Sequence, residues 1–131
     1  MARIYIDSYC YGNPGPGAWA YRIFYPEEIK PVTSFGKEYY TTNNRAELMA
    51  LVNALKVVQS PDPITVFTGN TYIIKLVEKN NWVKIRKNLD LIDELKDLLS
   101  RKSVSFQLVD IETDDILYAA KMLAKKVADG A

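Results

Sequence analysis

Thr41-Thr42-Asn43-Asn44-Arg45-Ala46-Glu47-Leu48-Met49-Ala50 divides the chain into two kinds of sequence. Within and beyond it, Leu48, Leu51, Val52 and Leu55 recur at helical spacing, which predicts a helix over 44–58. Asn44 with Glu47 three residues later has the form of a capping box at its start. Upstream, the sequence reads as strands. Over 2–8, Ile4 and Ile6 fall on one face and Arg3, Tyr5 and Asp7 on the other. Tyr11–Gly17 (YGNPGPG) is punctuated by Pro and Gly and cannot extend that strand. Strands over 18–25 and 32–40 flank a turn at 26–30. Downstream, Ser60-Pro61-Asp62-Pro63 closes the helical unit, and Ile64–Phe67 is a short apolar strand. Helices over 70–79 and 89–99, a strand over 104–109 and a helix over 114–126 complete the chain.

This order predicts an α/β fold. Its mixed five-stranded sheet has three antiparallel N-terminal strands, two further parallel strands, and helices on both faces. Right-handed crossovers bring the end of the first strand, with Asp7, beside the Thr68–Asn70 turn. No repeat or linker interrupts the 131 residues, so one domain over 1–131 is expected. Lys plus Arg number 17 and Asp plus Glu 16, so any nucleic-acid affinity has to come from a local patch. Cys10 is the single cysteine, which excludes an intrachain disulfide and fits a reducing, cytoplasmic setting. Histidine is absent, removing an imidazole base and any His-ligated zinc. No apolar run has the length of a membrane span, and no leader pattern is visible.

Three stretches carry a resemblance. Ile6-Asp7, then Cys10-Tyr11-Gly12-Asn13-Pro14-Gly15-Pro16-Gly17-Ala18, then Thr42–Ala50 together resemble the ribonuclease H type 1 family, with a fainter echo at Lys87-Asn88-Leu89-Asp90-Leu91. The resemblance implies a ribonuclease-H-like fold and cleavage of the RNA strand of RNA–DNA hybrids. It also implies two divalent ions, Mg²⁺ or Mn²⁺, held by four carboxylates. The first two carboxylates fall on Asp7 and Glu47. The third belongs to a Thr-Asp-Ser motif, which here reads Thr68-Gly69-Asn70. The fourth belongs to an Ala-Asp-x-Leu-Ala motif, matched by Ala120-Lys121-Met122-Leu123-Ala124. Asp7 is followed by Ser8-Tyr9 where the family has Gly-Ser, and Ile111-Glu112 replaces its Gly-His loop. Gly69 and Lys121 therefore leave only Asp7 and Glu47 as metal ligands, with metal binding weak or lost. The resemblance, so modified, implies a degenerate domain, impaired in hydrolysis, that retains hybrid or other nucleic-acid binding. Lys121 would pair with Asp7 or Glu47 in the metal's place.

Two other readings stand beside it. An active nuclease would need a substitute carboxylate from Asp110–Asp115, with Asp114 or Asp115 as the candidates. The plainer use of that segment is for Thr113 or Asp114 to cap the last helix. A structural or oligomerising domain, with a protein partner or a second copy, would use apolar surface around Tyr9, Tyr11 and Trp82. For nucleic-acid contact the resemblance nominates Asn13, Thr42, Asn43 and Asn44, which otherwise would only order a turn and a helix start. Lys84, Arg86 and Lys87, with Lys75 and Lys79, form the most basic stretch. Trp19 and most of the tyrosines are expected to pack in the sheet, and Tyr72 and Tyr118 against helices.

Overall fold

The computed structural model describes residues 1–59, 63–78, 87–110 and 114–130. Five strands, β1 (Ala2–Cys10), β2 (Gly15–Phe24), β3 (Val32–Thr41), β4 (Ile64–Thr68) and β5 (Val104–Leu108), form one sheet in the order β3-β2-β1-β4-β5. The first three are antiparallel; β4 and β5 run parallel to β1. Four helices, α1 (Asn43–Val57), α2 (Thr71–Glu78), α3 (Leu89–Arg101) and α4 (Asp115–Ala128), accompany it. This is the α/β arrangement expected, with most boundaries moved by one or two residues and β2 starting three residues early, at Gly15, inside the Pro- and Gly-rich stretch. The basic residues Lys79, Lys84 and Arg86, with Trp82, lie outside the described residues.

α1 lies against β1 and β2, and α4 against β1, β2 and β3. The central strand β1 is therefore covered on both faces. Ile4 and Ile6 are fully buried, and Tyr5, on the opposite face of the strand, is buried as well. Tyr5 stacks on Phe67 with ring centroids 4.6 Å apart, so its face of the strand is core rather than solvent. Leu48, Leu51, Leu55, Ile73 and Leu95 complete a core shared by α1, α2 and α3 with the sheet.

Three local expectations are corrected. Thr42 is the α1 N-cap: its Oγ1 accepts from the Arg45 amide at 3.2 Å, and the helix starts at Asn43, so Asn44 and Glu47 form no capping box. Thr42 holds the extended backbone that a cap requires, and Glu47 is drawn into the interior. Tyr39 and Tyr40, taken as sheet-packing residues, are 86% and 75% exposed. A bulge explains this, since Gly15 pairs Thr41 while Gly17 pairs Glu38, leaving the two tyrosines outside the regular register. Tyr118 is also exposed rather than packed. Trp19 is core as expected, with its ring lying directly over Gly36, where no Cβ would fit.

Candidate functional site

The parallel pairing of β1 with β4 brings the end of β1 beside the turn that follows β4. A cavity of about 350 Å³ opens there, lined by Asp7, Ser8, Asn43, Glu47, Gly69, Asn70, Thr71 and Lys121. Asp7, Glu47, Gly69 and Lys121, the four positions that the resemblance matches to carboxylates, therefore line one cavity. Alternation along β1 sends Asp7 toward α4 and Ser8 toward α1.

Glu47 is 1% exposed, and hydroxyls hold both of its oxygens. Ser8 Oγ donates to Oε1 at 2.7 Å, and Thr68 Oγ1 donates to Oε2 at 2.7 Å. Burial, followed by the neighbouring Asp7 charge, pushes the Glu47 carboxyl up to about 8, with the two hydroxyls opposing the shift. Asp7 is also raised, chiefly by burial, against the lowering influence of Lys121 and of the Ser8 amide. Its Oδ1 accepts from that amide at 2.7 Å.

Lys121 comes from the second turn of α4 and points into the cavity. Its Nζ lies 3.1 Å from Asp7 Oδ1 and 2.9 Å from the Ser8 carbonyl oxygen. Leu117, Ala120 and Ala124 bury the face of α4 that turns Lys121 inward. Gly69, by contrast, leaves room. A Cβ there would sit 3.4 Å from the Val109 carbonyl oxygen and 3.5 Å from Leu117 Cδ2, which is ordinary contact.

The described residues that line the cavity do not fit a two-metal centre. Among the described residues, no group of three or more His, Cys, Asp or Glu side chains converges. Asp114, one proposed substitute, spends its carboxylate on the α4 cap, accepting from the Leu117 amide at 2.9 Å. Asp115 is exposed in the first turn, and neither residue lines the cavity.

The remaining nominated residues divide by role. Asn13 Oδ1 accepts from the Asn43 amide at 2.9 Å, tying the β1–β2 loop to the start of α1. Thr42 caps that helix, Asn43 lines the cavity, and Asn44 and Lys87 are exposed. Arg45 was missed by the sequence reading. It forms a two-pronged pair with Asp90, at 3.0 and 2.7 Å, and donates to Asn88 Oδ1, which pins α1 to α3 beside the cavity. The pairing of Arg45 with Asp90, both inside the quoted motifs, was the available signal. Tyr9 packs edge-to-face on Tyr11, while the Lys121 and Lys125 ammonium groups lie 6.0 and 5.8 Å from its ring centre.

Comparison with known proteins decides the lineage. The RNase H family model matches residues 1–115. The chain belongs to the RNase H family. It is 38% identical over 126 residues to a ribonuclease H of Caldicellulosiruptor saccharolyticus, covering 87% of this chain and 86% of that protein. It is 34% identical over 127 residues to a ribonuclease H of a Thermoanaerobacter species, covering 88% and 81% respectively. In fold it is similar to LC11-RNase H1 in complex with RNA/DNA hybrid, with TM-score 0.79 and 21% identity, covering 99% of this chain and all of that one. The RNase H1 of Halobacterium salinarum is similarly placed, with TM-score 0.78 and 24% identity over 99% and 98% of the two chains. Lys121 lies beyond the stretch that the family model matches, so its place in this RNase H-family centre rests on the geometry given above.

Proposed function

We propose that this chain is a single RNase H-family domain that engages RNA–DNA hybrid or related nucleic acid without metal-dependent hydrolysis. The observation that carries the reading is the Lys121 ammonium, 3.1 Å from Asp7, inside the cavity where the family's carboxylates converge. Four carboxylates require divalent cations before they can face a phosphate diester. Here one carboxylate position is Gly69, one is a cation, and burial disfavours the ionised form of Glu47. The Lys121 ammonium offsets acidic charge in the cavity without any added ion. Lys121 uses two of its three ammonium hydrogens on Asp7 and Ser8, leaving one for a phosphate oxygen. Asn43, Asn70 and Thr71 line the same opening with amide and hydroxyl groups suited to phosphate and 2′-hydroxyl contact. LC11-RNase H1, similar in fold, is in complex with RNA/DNA hybrid, which supports the reading.

The test is polarisation of a labelled hybrid with the chain in EDTA, Mg²⁺ or Mn²⁺, together with a cleavage assay at high protein concentration. Binding is expected to be salt-sensitive, unchanged by EDTA, and accompanied by no cleavage. Gly69→Asp/Lys121→Asp, for which Gly69 leaves room, supplies the comparison centre. Cleavage by the unmodified chain that disappears in Asp7→Asn, or binding that collapses in EDTA, refutes the reading.

A further inference from the structure

We propose that Tyr9 and Lys125 form a second phosphate seat, beside the cavity, for the next phosphodiester along one strand of a bound hybrid. The assignment rests on the proposed binding of hybrid, and it concerns a cation that does not line the cavity itself. Asp7 and Tyr9 lie two apart on β1 and so share the face that meets α4. Lys121 and Lys125 lie four apart on α4 and so share one side of that helix. Two residues of strand advance about 6.6 Å and four residues of helix about 6 Å. Lys125 accordingly meets Tyr9 as Lys121 meets Asp7.

Lys125 Nζ lies 5.8 Å and Lys121 Nζ 6.0 Å from the centre of the Tyr9 ring, so one ring holds both ammonium groups. The ring is itself fixed. Tyr11 meets it edge-to-face at 5.0 Å, and it packs against the small cluster of Ala18, Val127 and Ala128. Lys121 has Asp7 as its counter-charge. Lys125 is paired with no carboxylate among the described residues, unlike Arg45, Lys56 and Arg101, which hold Asp90, Glu94 and Asp97. It is half-buried and brings three donor hydrogens and no acceptor. Asp7 thus neutralises one of the two ammonium groups on the ring, and a phosphodiester supplies the anion for the other. Lys125 also complements the helix dipole from the last turn of α4. Lys126, in the same turn, takes the same benefit but is exposed and lines a different groove, with Phe35 and Leu123.

The experiment follows hybrid binding by polarisation in EDTA, between about 50 and 200 mM salt, for the unmodified chain, Lys125→Gln, Lys126→Gln, Tyr9→Phe and Tyr9→Leu. One lost phosphate contact lowers the slope of log affinity against log salt by about 0.9. Over that rise in salt, the affinity loss of Lys125→Gln is therefore expected to be about 3- to 4-fold smaller than that of the unmodified chain. Lys126→Gln controls for charge at the helix end, and its slope is expected to stay near that of the unmodified chain. Tyr9→Phe keeps the ring and is expected to bind as the unmodified chain does, whereas Tyr9→Leu is expected to bind about 2- to 5-fold more weakly. An unchanged slope in Lys125→Gln, or an equal fall in Lys126→Gln, overturns the seat. Equal affinity of the two Tyr9 variants overturns the part given to the ring. Failure of the underlying reading shows differently, as no salt-sensitive binding of hybrid by the unmodified chain.

Discussion

Cutting the Lys121–Asp7 pair from one side should cost stability that cutting it from both sides returns. Lys121 Nζ and Asp7 Oδ1 are 3.1 Å apart, with side-chain exposures of 36% and 9%. At an effective dielectric constant of about 20, charges this close attract by about 5 kcal/mol before desolvation is charged against them. Desolvation removes most of that gain. Removing one partner of a fully buried pair costs about 3–5 kcal/mol, whereas exposed pairs couple by only about 0.2–1 kcal/mol. With one partner buried and the other a third exposed, Lys121→Met should destabilise by about 1–3 kcal/mol, because Asp7 is left charged and unpaired. Asp7→Asn should cost less, since the lysine can turn toward solvent. The double variant should recover most of the loss, giving a coupling of about 1–3 kcal/mol in a double-mutant cycle. Urea unfolding followed by circular dichroism reads all four forms, and an unchanged slope confirms that only stability has moved. If the two changes add to within about 0.5 kcal/mol, the pair is not the device that fills the centre.

Two further outcomes follow from groups around the same cavity. The Glu47 carboxyl is raised from 4.5 to about 8, so the folded chain keeps a proton that the unfolded chain releases between those values. Stability should therefore be full below pH 4.5, fall as pH rises toward about 8, and level off above it; chemical denaturation of Glu47→Gln across that range should show this component flattened. Thr42→Ala removes the side-chain oxygen that accepts from Arg45, and should lower unfolding free energy by about 1 kcal/mol, whereas Asn44→Ala should change it by less than about 0.5 kcal/mol.

The order of strands and helices was legible because period-two and period-3.6 patterns are local, and the crossover rule then placed Asp7 beside Gly69. The departures at Gly69 and Lys121 from the motifs the chain resembles could be read from motif positions alone. Lys121 turning into the cavity depends on which face of α4 is buried, and Leu117, Ala120 and Ala124 lie on that face. What escaped the sequence was set by packing partners far along the chain. Tyr5 packs in the sheet as expected, but that α4 covers its side of β1 is a fact of tertiary packing that alternation alone does not show. Tyr39 and Tyr40 looked like strand residues because a bulge is a property of pairing rather than of one strand. Glu47 fitted a capping pattern by spacing alone, and only the meeting of β1, β4 and α1 shows that Ser8 and Thr68 claim it.

The Lys121 contact with Asp7 spans 114 positions of sequence, linking the first strand to the last helix. A metal ion reaches a nascent site by diffusion at any stage; this cation arrives only when α4 has been made and docked. Until then, the middle strand of the sheet carries an acidic group with no counter-charge. The N-terminal strands and α1, made first, must therefore wait for α4 before their charge balance is complete, which couples the two ends of the chain in time as well as in space.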